Sequence, residues 1–143
     1  YKDTPVTELG KFAVTSSSGT SNTVLKEIVI PDTVTTMGEY VFTSCSALER
    51  VVLSKSLASL ERGLFQNCKK LTSVEIPASV KSIGDTAFIY CESLAEINLL
   101  TTDCEIGEWA FGAYGTATVL KGVYSKAAAE YAANTGIVFE DGK

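Results

Sequence analysis

Four cysteines, Cys45, Cys68, Cys91 and Cys104, and no histidine in 143 residues set narrow limits on the chemistry open to this chain. Without histidine, the Ser-His and Cys-His nucleophile pairs are missing, and so is the commonest general base. A structural zinc site needs close Cys-x-x-Cys or Cys/His pairs, whereas Cys45, Cys68 and Cys91 stand 23 residues apart and Cys104 falls off that spacing. No metal and no cofactor is expected. A free buried cysteine behaves as a small hydrophobe, so the evenly spaced thiols read as an inward, reduced ladder. Parallel Cβ vectors on neighbouring strands keep a separation of about 4.8 Å, longer than the roughly 3.5–4.5 Å a disulfide requires. The carboxylates Glu39, Asp85 and Glu108 share another repeat position with Arg62. Paired carboxylates can hydrolyse glycosides, but on a convex turn without a cleft they read as a solvated face. There is no Gly-x-Gly-x-x-Gly and no complete phosphate loop. The chain reads as non-enzymatic.

These spacings belong to a wider pattern. Leu25, Leu48, Leu71 and Leu94 are 23 residues apart, and so are Phe42, Phe65, Phe88 and Phe111. A fixed period of about 20–29 residues marks a leucine-rich solenoid, in which each unit buries its apolar face only against its neighbours. Each unit opens as Leu-x-x-(Ile/Val)-x-(Ile/Leu), for example Leu71, Val74, Ile76. That alternation is the period of a strand with one buried face, and Pro31 and Pro77 close it because proline lacks an N–H. A second extended segment carries Val34 and Met37, Leu57 and Leu60, Val80 and Ile83, and a short turn carries the phenylalanines. Gly38, Gly84 and Gly107 precede that turn, where a left-handed or tightly bent backbone favours glycine. Glu61 takes the same place in the second unit. The phenylalanines are expected to stack in one buried column.

The predicted fold is a right-handed α/β leucine-rich repeat solenoid of 23-residue repeats, ending in a cap with one short helix. Residues 1–24 read as a truncated N-terminal repeat and loop, with Leu9, Phe12 and Val14 repeating the strand pattern and a polar run from Ser16 to Asn22. Residues 25–114 read as four repeats, the fourth degenerate, with Asp103 in an apolar position and Tyr114 in a cysteine position. The period is expected to stop at Gly115, giving a cap over 115–143. There, Thr118 to Val123 reads as a strand, Ser125 as an N-cap, Lys126 to Ala133 as a helix, Gly136 as its C′ residue and Ile137 to Phe139 as a last strand.

A net charge of −5 argues against nucleic acid, because a binder must set several Lys or Arg on phosphates. No apolar run approaches the roughly 18 residues needed to span a membrane, so no membrane insertion is expected. The chain lacks an initiator Met and reads as a mature fragment or excised domain.

The run from Leu71 to Phe88, followed by Cys91, resembles the consensus of the BspA-like leucine-rich repeats, with Leu, Ile-Pro, Val, Ile-Gly, Ala-Phe and Cys recurring together. The resemblance covers about residues 25–114. Ser54 for Pro, Glu61 for Gly and Asp103 for an apolar residue depart from it. It implies a secreted or surface-attached bacterial protein acting in adhesion or host interaction, with no catalytic residues.

Function is therefore expected on the concave sheet. Alternation sends Glu27, Arg50, Ser73 and Glu96 outward in one column, and Val29, Val52, Glu75 and Asn98 in the next. Arg50 is the expected hot spot, a planar multi-donor group among acidic and apolar neighbours. The expected partner is a protein, such as a host or extracellular-matrix protein, bound by a monomer. The rival reading is a structural spacer within a larger surface protein. Tyr40 and Trp109, which share a repeat position, are the next surface to consider, although packing on the neighbouring coil is the simpler role for them.

Overall fold

The computed structural model describes residues 4–14, 20–112 and 118–142. Each 23-residue unit makes one coil with two short strands and a turn. The first strands are β2 (Glu27–Val29), β4 (Arg50–Val52), β6 (Ser73–Ile76) and β8 (Glu96–Leu99). The second strands are β3 (Thr36–Met37), β5 (Ser59–Leu60), β7 (Ser82–Ile83) and β9 (Glu105–Ile106). All pairing is parallel, as a solenoid demands, and residues pair with their repeat equivalents: Val74 with Ile97, Ser82 with Glu105. Burial alternates along β6, with Val74 and Ile76 inside and Ser73 and Glu75 outside.

The core is a set of columns. Phe42, Phe65, Phe88 and Phe111 are 0–1% exposed and stack at centroid distances of 5.2, 5.3 and 5.9 Å. Their backbones are tied as well. The Phe42 N–H donates to the Leu64 carbonyl, that of Phe65 to Ala87 and that of Phe88 to Ala110, at 2.7–2.9 Å. The Phe111 N–H donates instead to the Tyr131 hydroxyl at 3.1 Å, with the Tyr131 ring edge-on to Phe111 at 5.3 Å. Tyr131 lies on α1 (Lys126–Thr135), capped by the Ser125 side chain and by a left-handed Gly136. The cap thus ends the aromatic column by supplying both a ring and an acceptor.

Several expectations need correction. Gly38, Gly84 and Gly107 do not take a positive φ. They are needed because the turn runs close to the previous coil: a Cβ on Gly84 would lie 2.6 Å from the Arg62 backbone N, and one on Gly107 2.6 Å from that of Asp85. This contact lets the Gly84 N–H reach the Leu60 carbonyl and the Gly107 N–H the Ile83 carbonyl, at 2.7 and 2.8 Å. The left-handed residues come later, at Tyr40, Gly63, Thr86 and Trp109, with φ between 55° and 60°, and again at Ser44, Asn67 and Tyr90. Such a backbone costs a non-glycine residue about 1–2 kcal/mol, a strain that interlocking coils sustain.

At the N-terminus, β1 (Glu8–Leu9) pairs with β3, so Leu9 matches Met37 and not Leu25. The segment is the second half of a coil, lengthened by five residues relative to the 23-residue period before the next coil starts. Nor does the period stop at Gly115: β10 (Val119–Gly122) continues the sheet, with Leu120 buried beside Ile97 at the same 23-residue spacing. β11 (Val138–Asp141) then pairs with β10. In the fourth coil Asp103 points to solvent and the neighbouring Cys104 is buried. Residues 15–19, Tyr114 and Gly115, which carry part of the expected polar loop and the cysteine-to-tyrosine exchange, lie outside the described residues.

Candidate functional site

The eight candidate residues all lie on the outer face of the first strands, in register pairs: Glu27 with Arg50 and Val29 with Val52, then Ser73 with Glu96 and Glu75 with Asn98. The face is not continuous. β2 and β4 form one ladder and β6, β8, β10 and β11 another, with no ladder between β4 and β6.

The two blocks differ in character. On the first, Val29 is 62% exposed and Val52 37%, side by side, and Arg50 makes no ion pair among the described residues although Glu27 is its register partner. On the second, Asn98 Nδ2 donates to Glu75 Oε2 at 3.2 Å, and Lys121 Nζ reaches Glu96 at 2.9 Å and Glu140 at 3.8 Å. The hydrogen bond to Glu96 also raises the Lys121 pKa. Glu96 and Asn98 are half-buried and each already has a partner, Lys121 for Glu96 and Glu75 for Asn98.

Between the blocks lies a depression of about 530 Å³. Arg50, Val52, Ser73 and Glu75 line it, together with Lys55 and Ser79, which sequence reasoning missed. Ser79 Oγ is buried without a hydrogen-bond partner among the described residues. Its signal in the sequence was indirect: Glu61 stands where the neighbouring coils carry Gly38 and Gly84.

The other side of the coil holds the turn carboxylates. Lys11 pairs with Glu39 at 2.7 Å and Arg62 with Asp85 at 2.8 Å, while Asp85 Oδ1 also accepts from the Glu108 N–H. Hydrogen bonds from Lys11 and Arg62 hold the Glu39 and Asp85 carboxyls below their usual pKa, the opposite of what a general acid requires. Tyr40 stacks on Phe12 at 5.5 Å with Lys11 Nζ 5.3 Å from its ring, and it also fills the space a side chain on Gly63 would need. Packing between coils is thus its role. Trp109 is 43% exposed and borders a depression with Tyr131 and Asn134.

Cys45, Cys68 and Cys91 form a column without bridges and Cys104 lies off it; all four are free thiols. Cys68 Sγ donates to the Phe42 carbonyl and Cys91 Sγ to the Phe65 carbonyl, each at 3.2 Å. Burial pushes Cys45 up to about 11, Cys91 to about 12 and Cys68 higher still, so these thiols are not nucleophiles at neutral pH. Among the described residues no group of three or more His, Cys, Asp or Glu is placed to hold a metal ion, and no helix is long and apolar enough to cross a membrane.

Comparison with known proteins agrees with this architecture. The chain is similar to a leucine rich cell surface protein from Faecalibacterium prausnitzii A2-165, at 26% identity and a TM-score of 0.61, covering 72% of this chain and 29% of that one. A leucine-rich repeat protein from Bacteroides ovatus ATCC 8483 shares the fold at 24% identity and a TM-score of 0.50, over 84% of this chain and 41% of that one. The leucine rich repeat protein of T. pallidum does so at 19% identity and 0.52, over 98% and 81%. The chain therefore spans less than half of the first two structures. The search of curated proteins gave no match. The profile of the BspA type leucine rich repeat region matches in six copies over residues 15–123, and the chain belongs to that family.

Proposed function

We propose that this chain is a non-enzymatic protein-interaction module of a secreted or cell-surface bacterial protein, which binds a protein partner, in adhesion or host contact, through the outer face of its first strands. The observation that carries the reading is the block formed by β2 and β4. In a molecule that buries most of its large apolar side chains, Val29 and Val52 stand exposed next to each other, beside an Arg50 that no carboxylate engages among the described residues. Exposed apolar surface flanked by an unpaired planar cation is the composition of an interaction hot spot. The surface location draws on the F. prausnitzii relative, described as a cell surface protein. The absence of histidine and the lowered pKa of the turn carboxylates support binding over catalysis.

The test is a screen of the isolated chain against extracellular-matrix and host-surface proteins, repeated with Arg50→Glu/Val52→Asp. The double variant is expected to stay folded and to weaken binding at least tenfold, about 1.4 kcal/mol. A partner that binds the variant unchanged would place the site elsewhere. A chain that binds nothing in the screen would favour the spacer.

A further inference from the structure

Coil 2, residues 48–70, is seated differently from its neighbours. Along β4 it is hydrogen-bonded to coil 1, and along β5 to coil 3, but neither β4 to β6 nor β3 to β5 forms a ladder. The two open seams are diagonally opposed, the pattern of a coil tilted about its long axis. Its turn carries the cause. Gly38, Gly84 and Gly107 each pass so near the previous coil that a Cβ would sit 2.5–2.6 Å from a backbone nitrogen. Glu61 holds this place in coil 2 and has a Cβ, so the turn cannot come as close. The Glu61 N–H accordingly makes no bond to Met37 of the kind that Gly84 makes to Leu60. Its carboxylate is held by the Ser59 hydroxyl of its own coil, at 2.6 Å. Along the sheet face coil 2 is therefore bonded to coil 1 and not to coil 3, and the depression lies at that unbonded seam. Pro77 widens that gap, because the N–H that Leu100 and Val123 give to the Ile76 and Leu99 carbonyls is missing there.

We propose that this opening between β4 and β6, held apart by Glu61, is the recognition site for an extended peptide segment bearing a carboxylate side chain. The proposal rests on the sheet-face reading above and narrows it to one seam. Three observations point to such an occupant. Arg50 and Lys55 line the opening, and neither side chain forms an ion pair among the described residues; of the two carboxylates that also line it, Glu49 and Glu75, Glu75 is already engaged by Asn98. The Ser79 hydroxyl lies buried in its wall with no partner among the described residues, a group whose desolvation goes uncompensated until a ligand bonds it. The Thr72 and Leu53 amides make no bond across this seam, whereas their equivalents do, Ala95 donating to the preceding coil and Ile30 to the following one, which offers main-chain hydrogen bonding to an extended segment. Val52, Pro77 and Leu100 supply the apolar contact.

The probe is the peptide acetyl-Thr-Val-Glu-Val-Thr-Val-amide and its Gln counterpart, titrated into the 15N-labelled chain. The expected result is amide shift changes confined to residues 50–55 and 72–79, with the Gln peptide and the Lys55→Glu variant each at least tenfold weaker. Glu61→Gly should close the opening and weaken binding tenfold without lowering the unfolding temperature. Absence of shifts, equal binding of both peptides, unchanged binding by Glu61→Gly, or tighter binding of a neutral oligosaccharide at the same amides would overturn the proposal. Shifts clustered on Glu96, Asn98 and Lys121 would overturn it while leaving the sheet-face reading intact. The sheet-face reading fails separately, if a screened partner protein binds Arg50→Glu/Val52→Asp unchanged.

Discussion

The turn side and the sheet side of the solenoid solve the same stacking problem with different rigour. On the turn side every described coil is tied to the next through its phenylalanine ring and the backbone N–H of that residue, and Tyr131 completes the series at the cap. On the sheet side the ladder is interrupted between β4 and β6. A buried column in which each ring contacts the next tolerates no gap, because a lost contact there leaves a cavity. Open strand edges on the outer face meet water, which satisfies their polar groups at small cost. The molecule is thus fixed along one side, and that leaves the other free to vary by coil.

The largest effect expected from breaking this contrast is Phe65→Ala. The ring is sandwiched between Phe42 and Phe88, and its removal should cost about 3–5 kcal/mol, read as a sharp fall in the denaturant midpoint. A loss below about 1 kcal/mol would mean the column does not hold the coils together. Next is Tyr131→Phe, which keeps the ring and leaves the buried Phe111 N–H without its acceptor, at about 1–3 kcal/mol. A stabilised or unchanged variant would show that the cap works through the ring alone.

A smaller effect comes from the thiols. Burial raises their folded-state pKa above the ordinary thiol value of 9.0. The unfolded chain therefore releases its thiol protons first as pH passes 9, and stability falls from about pH 9 toward 11 through these groups, with no thiol contribution below about pH 8. Chemical denaturation from pH 7 to 11 checks this, and replacing Cys45 and Cys68 with Ala should flatten the decline. The smallest effect is Arg62→Ala, which removes an exposed pair with Asp85 and should shift the midpoint least, and less still in high salt.

The columns were legible in the sequence because a 23-residue period makes each buried position repeat four times, as with Leu25 and Phe42 and their equivalents. The conformation inside the turn was not. Glycine at 38, 84 and 107 suggested a left-handed or tightly bent turn, whereas the structure uses those residues for close approach and takes the left-handed conformation at Tyr40, Gly63, Thr86 and Trp109. Gly63 and Asn67, the residue types that most readily take positive φ, stood in the two left-handed columns as the available clue. The N-terminal half coil was misassigned because five extra residues hid the match between Leu9 and Met37. β10 was cut from the array because its preceding segment lacks the repeat motif, although Leu120 keeps the spacing. Among site residues, Arg50, Val52, Ser73 and Glu75 followed from alternation alone. Lys55 and Ser79 did not, since the opening that exposes them depends on how far two coils part, which no residue count encodes.

The sheet side is open between the second and third coils while the turn side is closed. Amide hydrogen exchange of the folded chain tests it most directly. Slow exchange is expected at Phe42, Phe65, Phe88, Glu49 and Ala95, whose N–H groups are bonded to the neighbouring coil, and fast exchange at Thr72, whose equivalents Glu49 and Ala95 are bonded while it is not. Thr72 protected as strongly as Glu49 and Ala95 would show a continuous sheet and contradict it.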